Sequence, residues 1–208
     1  KEIYTLYVER WHFFLDLTWE HLQISLMSIV IATMVGLGLG IMISMYRKSS
    51  STVLGLTNFI YTIPSIALFG FLIPFSGIGN TTAIIALSIY ALLPMVHNTY
   101  TGIIGIDKEI IEAARGMGST TFQILYKIQI PLAFPVILSG IRNMVVMTIA
   151  LTGIAAFIGA GGLGVAIYRG ITTNNSAMTI AGSLLIALLA DWGVGRYEKH
   201  IKRKRKLL

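Results

Sequence analysis

The amino-acid sequence predicts an all-α integral membrane protein with about five transmembrane helices and a two-helix loop between the third and the fourth. Of the 208 residues, 55% are hydrophobic and only 12% are charged, about half the charged share of an ordinary globular domain. The mean hydropathy is +0.76. Helices are expected because lipid offers no hydrogen-bond partner to the backbone.

The apolar residues lie in runs that are nearly free of charge and long enough to span a bilayer core, which needs about 20 helical residues. These runs predict spans at 22–46, 53–75, 82–102, 133–157 and 177–196. Pro64 and Pro94 lie inside two of the spans, and each is expected to kink or break its helix. Gly36 and Gly40 form a GxxxG pair that favours close helix packing.

The basic residues are distributed unevenly, and this predicts the orientation of the chain. Seven of the 16 Lys and Arg residues lie within 196–206. A basic block directly after an apolar helix is typical of a cytoplasmic anchor rather than of a nucleic-acid-binding tail. With the C-terminus inside, twelve basic residues flank the spans on the inner side and three on the outer side. We therefore expect a multi-pass membrane protein with a cytoplasmic C-terminus and no nucleic-acid partner.

The whole chain, residues 1–208, is expected to form a single transmembrane domain, because no linker or repeat divides it. Residues 1–21 combine acids with aromatic side chains and are predicted to be an external segment on the membrane surface. Residues 103–132 are predicted to be a cytoplasmic loop, and residues 197–208 a basic cytoplasmic tail.

The chain lacks the residues that most enzyme, metal and nucleotide sites need. It has no cysteine, and its four histidines show no ligand spacing. No pair of acids lies where acid–base chemistry could proceed within the spans. Gly159, Gly161 and Gly164 form GxGxxG, but neither a strand before the motif nor an acid about 20 residues after it is present. We therefore expect no catalytic residue, metal or cofactor, no ATP hydrolysis by this chain, and an irregular hairpin near the outer membrane face.

The cytoplasmic loop contains local signals for two short helices. Asp107 is a good N-cap and Glu109 favours the first turn of a helix that runs to about Arg115. Gly116 and Gly118 are expected to end that helix, because glycine accepts the left-handed cap conformation.

A second helix is expected to follow that glycine turn. Thr120 and Gln123 form a T-x-x-Q capping box at its predicted start. Pro131 is expected to mark its end and the start of the fourth span.

At this loop the sequence resembles the EAA loop of the permease subunits of ATP-binding cassette importers. The family pattern is E-A-A, three residues, G, nine residues, then I-x-L-P, and Ile130 replaces its leucine. The matching residues are Glu112, Ala113, Ala114, Gly118, Ile128 and Pro131. The resemblance implies that the loop couples to a separate ATPase subunit. The predicted coupling residues also include Asp107, Glu109 and Gly116 of the same loop.

A broader resemblance covers most of the chain and concerns the solute. Segments 20–41, 57–74 and 153–171 are similar to permeases of osmoprotectant importers, which move glycine betaine, carnitine or choline. The implied partners are the ATPase subunits, a second permease copy or homologous permease, and an extracellular substrate-binding protein. The implied location is a bacterial plasma (inner) membrane. A methionine-type amino-acid importer stays open as an alternative, and so does a passive channel or secondary transporter.

Candidate pathway residues lie in three parts of the chain. The first surrounds the proline of the second span, the second is a polar pair in the fourth span, and the third is the glycine-rich segment. These residues are Tyr61, Pro64, Ser65, Arg142, Asn143, Gly159, Gly161, Gly162 and Gly164.

Overall fold

The computed structural model describes the backbone of residues 2–205 and the side chains of residues 2–193 and 195. Over this range the chain is α-helical and contains no β-strand. The helices are α1 (Glu2–Glu9), α2 (Trp11–Met45), α3 (Arg47–Thr62), α4 (Ser65–Ser76), α5 (Asn80–Ile104), α6 (Lys108–Gly116), α7 (Thr121–Ile124), α8 (Ile130–Thr152), α9 (Gly164–Thr172) and α10 (Ser176–Arg205). A π-helical turn (Leu125–Gln129) joins α7 to α8, and a 3-10 helix (Ile154–Ile158) follows α8.

Four of the predicted spans appear as single long helices. They are α2, α5, the helix from Thr121 to Thr152, and α10 as far as Gly193. The third span matches most closely, because predicted 82–102 falls inside α5. The fourth span was predicted to reach residue 157, but α8 ends at Thr152 and the chain continues as the 3-10 helix.

The second span is not one helix, as was predicted for 53–75. It is divided into α3 and α4, whose axes meet at an angle of 100°. Pro64 lies at the junction, where it lacks an amide hydrogen and cannot continue α3. The hydroxyl of buried Tyr90 donates a hydrogen bond to the carbonyl of Ile63, which satisfies one backbone group that the break exposes. Pro94, by contrast, lies inside α5 without ending it.

The N-terminal segment is divided between two helices. The location of residues 1–21 on the outer membrane surface stays a prediction, and within this segment α2 begins at Trp11 and continues into the first span. Phe14 and Leu17 are buried with residues of α9 and α10. At about 1.5 Å per residue α2 is roughly 52 Å long, so it extends well beyond a bilayer core of about 30 Å.

Only α1 remains as a separate helix at the N-terminus. It is attached to α10, because the Tyr7 hydroxyl donates a 2.7 Å hydrogen bond to the carbonyl of Ala181. Burial raises the pKa of Tyr7 above its ordinary value.

Helix α5 lies at the centre and packs against both α2 and α8. A Cβ atom at Gly36 would lie 2.7 Å from Met95, and one at Gly40 would meet the side chain of Thr99. The predicted GxxxG pair therefore lets α2 approach α5 closely. Gly140 does the same for α8, where a Cβ would lie 2.6 Å from Asn98.

The C-terminal helix α10 extends to Arg205, so the predicted basic tail is helical over 197–205. Residues 206–208 of that tail lie outside the described residues. We call the side of the protein that carries residues 103–132 the loop end. The opposite side, with residues 153–164, is the glycine end.

Candidate coupling loop and solute pathway

The first loop helix, α6, begins and ends at the residues that the sequence predicts. The Asp107 carboxylate accepts a 3.1 Å hydrogen bond from the backbone N–H of Glu109. At the other end Gly118 has φ +83°, the left-handed region that favours glycine. Its N–H donates to the carbonyl of Arg115 and that of Ser119 to the carbonyl of Ala114, the two bonds of a Schellman motif. Gly116 is the last helical residue, so Gly118 alone makes the turn.

The second loop helix begins at the predicted capping box. The backbone N–H of Gln123 donates to the Thr120 hydroxyl at 3.3 Å, and the N–H of Thr120 donates to Gln123 Oε1 at 2.9 Å. Both bonds satisfy amides that the start of a helix would leave unpaired.

Pro131 lies at the start of the fourth span, as was expected, but it does not separate that span from the second loop helix. The chain passes from α7 through the π-helical turn into α8, and Pro131 lies in the first turn of α8. Pro131 has no backbone N–H to donate to the carbonyl of Lys127. The wider π-helical turn just before it allows the helix to continue without that hydrogen bond. Ile128 is half-buried in that turn. The second loop helix is therefore a rigid extension of the fourth span by about two turns.

One face of α6 is exposed while the other contacts the protein. Glu109, Glu112 and Ala113 are exposed, whereas Ala114 is 1% exposed. The EAA residues therefore divide into two exposed positions and one that anchors the helix.

The loop also exposes large apolar side chains that the sequence pattern did not single out. Met117 is 79% exposed, Phe122 68% and Tyr126 66%. The rings of Phe122 and Tyr126 are parallel, with centroids 6.3 Å apart. Exposed apolar groups on this scale are typical of a protein–protein contact. The exposure of Phe122 and Tyr126 depends on the orientation of α7 and of the π-helical turn, which the sequence spacing alone does not give.

The glycine-rich segment at the opposite end forms a tight turn between the 3-10 helix and α9. Gly159 and Gly162 have φ +74° and +92°. A Cβ at Gly164 would meet the backbone carbonyl of Gly153. A 3-10 helix precedes the motif, where a dinucleotide site needs a strand. The glycines therefore serve the turn and close backbone packing.

Two polar side chains from distant helices hold this turn. The N–H of Gly161 donates to Asn80 Oδ1 at 2.8 Å, and the N–H of Gly162 donates to Glu20 Oε2 at 3.0 Å. A carboxylate that accepts a backbone N–H makes a comparatively strong hydrogen bond. Glu20 and Asn80 are functional candidates that sequence reasoning missed, because the contacts join residues 142 and 81 positions apart.

The remaining pathway candidates separate into two groups. Tyr61 and Asn143 line one open cleft of about 430 Å³ between α3, α5 and α8. Pro64 and Ser65 lie at the junction of α3 and α4 and are not among the residues that line this cleft. Arg142 is exposed on α8 and is not among the residues that line this cleft. The cleft also contains residues that were not predicted as pathway residues: Asn58, Leu93, Pro94, His97, Asn98 and Met147.

Comparison with characterised proteins agrees with this architecture. The chain is 38% identical over 205 residues to the carnitine transport permease protein OpuCB of Listeria monocytogenes, covering 97% of this chain and 94% of that protein. It is 39% identical over 210 residues to the glycine betaine/carnitine/choline transport system permease protein OpuCD of Bacillus subtilis, covering 99% and 92%.

A solved structure shows the same fold. The permease chain of the inward-facing MetNI methionine ABC transporter superposes with a TM-score of 0.79 at 24% identity, covering 89% of this chain and 93% of that chain. The family model for the binding-protein-dependent transport system inner membrane component matches residues 26–203. The chain therefore belongs to the family of inner-membrane permease components of binding-protein-dependent transport systems.

Proposed function

We propose that this protein is the permease subunit of an ATP-driven importer for quaternary-ammonium osmoprotectants, the class that includes glycine betaine, carnitine and choline. The observation that carries the proposal is identity of 38–39% to permeases of such systems over nearly the whole chain. The likeness to the methionine importer, at 24% identity, concerns the fold only.

The coupling loop is the part of the protein that we assign to the ATPase. Its turn is fixed by Gly118, its second helix is a direct extension of α8, and it exposes Glu112, Ala113 and the stacked rings of Phe122 and Tyr126. Force applied to the loop passes along a continuous helix into the membrane span. ATP-dependent closure of the ATPase pair would then shift the permease from one conformational state to the other, because the loop contacts the ATPase differently in the two states.

The proposed assembly follows from the membrane orientation that the basic residues predict. The loop end and the C-terminus face the cytoplasm and two ATPase subunits, and the glycine end faces an extracellular binding protein that delivers the solute. A second permease, identical or homologous, completes the pathway within the membrane. The uneven distribution of basic residues supports this orientation.

The proposal is tested by reconstituting the permease with its ATPase and binding protein in lipid vesicles. We expect radiolabelled glycine betaine, carnitine or choline to accumulate only with ATP and only with the binding protein. A vesicle set whose ATPase lacks its P-loop lysine is the matched control. Uptake of methionine without any of the three quaternary amines, or uptake that needs no ATP, would reject the proposal.

A further inference from the structure

The open cleft between α3, α5 and α8 has the size and depth of a solute site. Its volume of about 430 Å³ falls in the range of small-molecule sites, about 300–1,000 Å³. Asn143 lies about 20 Å along α8 from Ile130, at about 1.5 Å per residue. His97 lies about 11 Å along α5 from Ile104 on the same scale. These depths place the cleft in the interior of the bilayer rather than at its surface.

The cleft has a largely apolar lining with a few polar side chains, and it carries no fixed carboxylate or fixed cation. Its lining includes the amides of Asn58, Asn98 and Asn143, and no Asp, Glu, Lys or Arg is among the lining residues. Asn98 donates through Nδ2 to the carbonyl of Pro94 at 2.7 Å. Within the part of the chain that the structure describes, the amides of Asn58 and Asn143 have no side-chain hydrogen bond. Both side chains are exposed in the open cleft, so their amides are available to bind water or a solute.

The other lining groups suit a cation that cannot donate hydrogen bonds. The ring of Tyr61 is 46% exposed, and its edge-to-face contact with Tyr90, with centroids 5.9 Å apart, holds it in place. The Tyr61 hydroxyl contacts the Met147 sulfur at 3.4 Å. A trimethylammonium group has no N–H, so an aromatic face and a polarisable thioether are its natural partners.

We propose that this cleft is a transit site that recognises quaternary-ammonium solutes directly, with the Tyr61 ring against the trimethylammonium and the amides of Asn58 and Asn143 against the carboxylate or hydroxyl. A lining without Asp, Glu, Lys or Arg suits a zwitterion, since a fixed acid would repel its carboxylate and a fixed base its cation. Weak binding is appropriate for a site that the solute must leave. This inference rests on the proposed function.

The decisive test compares Asn143→Asp with Asn175→Asp in the reconstituted importer. Asn175 Oδ1 accepts the backbone N–H of Met178 at 3.0 Å at the start of α10, a role that aspartate fills equally well. Both variants add one negative charge, but only the first adds it to the cleft. We expect Asn143→Asp to lower the uptake efficiency of glycine betaine relative to choline by about tenfold or more, because like charges repel in a low-dielectric site. Asn175→Asp should leave that ratio unchanged.

A second pair of variants tests the aromatic face. Tyr61→Phe keeps the ring, so the KM for choline should stay within about threefold of wild type. Tyr61→Leu removes it and should raise that KM roughly tenfold. ATPase stimulation by the solute-loaded binding protein reports whether each variant still assembles and couples. An unchanged choline-to-betaine ratio in Asn143→Asp, with normal stimulation, would overturn the cleft assignment. If the wild type moves none of these solutes, the proposed function itself fails.

Discussion

Gly118 gives the sharpest prediction for the coupling loop, because its role is conformational and not steric. No atom lies within 4 Å of the position that a Cβ would take, but the backbone has φ +83°. Placing an L-residue in this conformation costs about 1–2 kcal/mol. For a β-branched residue the cost lies at the upper end of this range, because its side chain is the stiffest. Since 1.4 kcal/mol corresponds to a factor of ten in an equilibrium constant, Gly118→Val should lower the equilibrium constant for forming the native turn by about tenfold or more.

The control for this prediction is a substitution at the same site. Asparagine tolerates the left-handed region, so Gly118→Asn adds a side chain of similar size with a smaller conformational cost. We expect the number of solute molecules moved per ATP hydrolysed, measured in vesicles, to fall strongly in Gly118→Val and only mildly in Gly118→Asn. Equal losses in the two variants would assign the effect to the contact surface and refute the conformational reasoning. A normal ratio in Gly118→Val would remove the turn from the coupling mechanism.

Three further predictions concern the capping box, the glycine turn and the orientation. Thr120→Val should cost about 1 kcal/mol of helix stability and speed hydrogen exchange at the Gln123 amide, while Thr120→Ser should not; equal exchange in both would exclude the capping role. Gly164→Ala, whose methyl would meet the Gly153 carbonyl, should lower the free energy of unfolding by about 1–3 kcal/mol. Gly38→Ala, whose methyl would have nothing within 4 Å, should not lower it. Equal thermal unfolding temperatures for the two variants would contradict the close packing at Gly164. A cysteine at Asn174 should react with an impermeant thiol reagent in intact cells and one at Ser51 should not; the reverse pattern would invert the topology.

The parts of the fold that sequence predicted are those governed by local or compositional rules. A helix cap depends on a few adjacent residues, so the roles of Asp107, Gly118 and Thr120 follow from the sequence alone. The long apolar runs predicted the spans for a similar reason, since each helix must be apolar enough to enter lipid by itself.

The features that sequence did not predict depend on contacts between distant parts of the chain. A proline indicates a kink or a break, but the 100° angle at Pro64 is set by packing. The contact between Glu20 and Gly162 joins residues 142 positions apart. The cleft is formed by three helices whose adjacency a single sequence does not reveal. The continuity of the helix from Thr121 through Pro131 was also missed, because the π-helical turn before Pro131 has no simple sequence signal.

Site-specific cross-linking between α6 and the ATPase tests the coupling assignment most directly. Single cysteines at Glu109, Glu112 and Ala113 are exposed, while one at Ala114 is buried against the protein. With a short bifunctional reagent in the assembled importer, we predict cross-links to the ATPase from the first three positions and none from the fourth, with yields that change when ATP binds. Equal yields at all four positions, or no ATPase cross-link in an importer that still transports, would contradict the account.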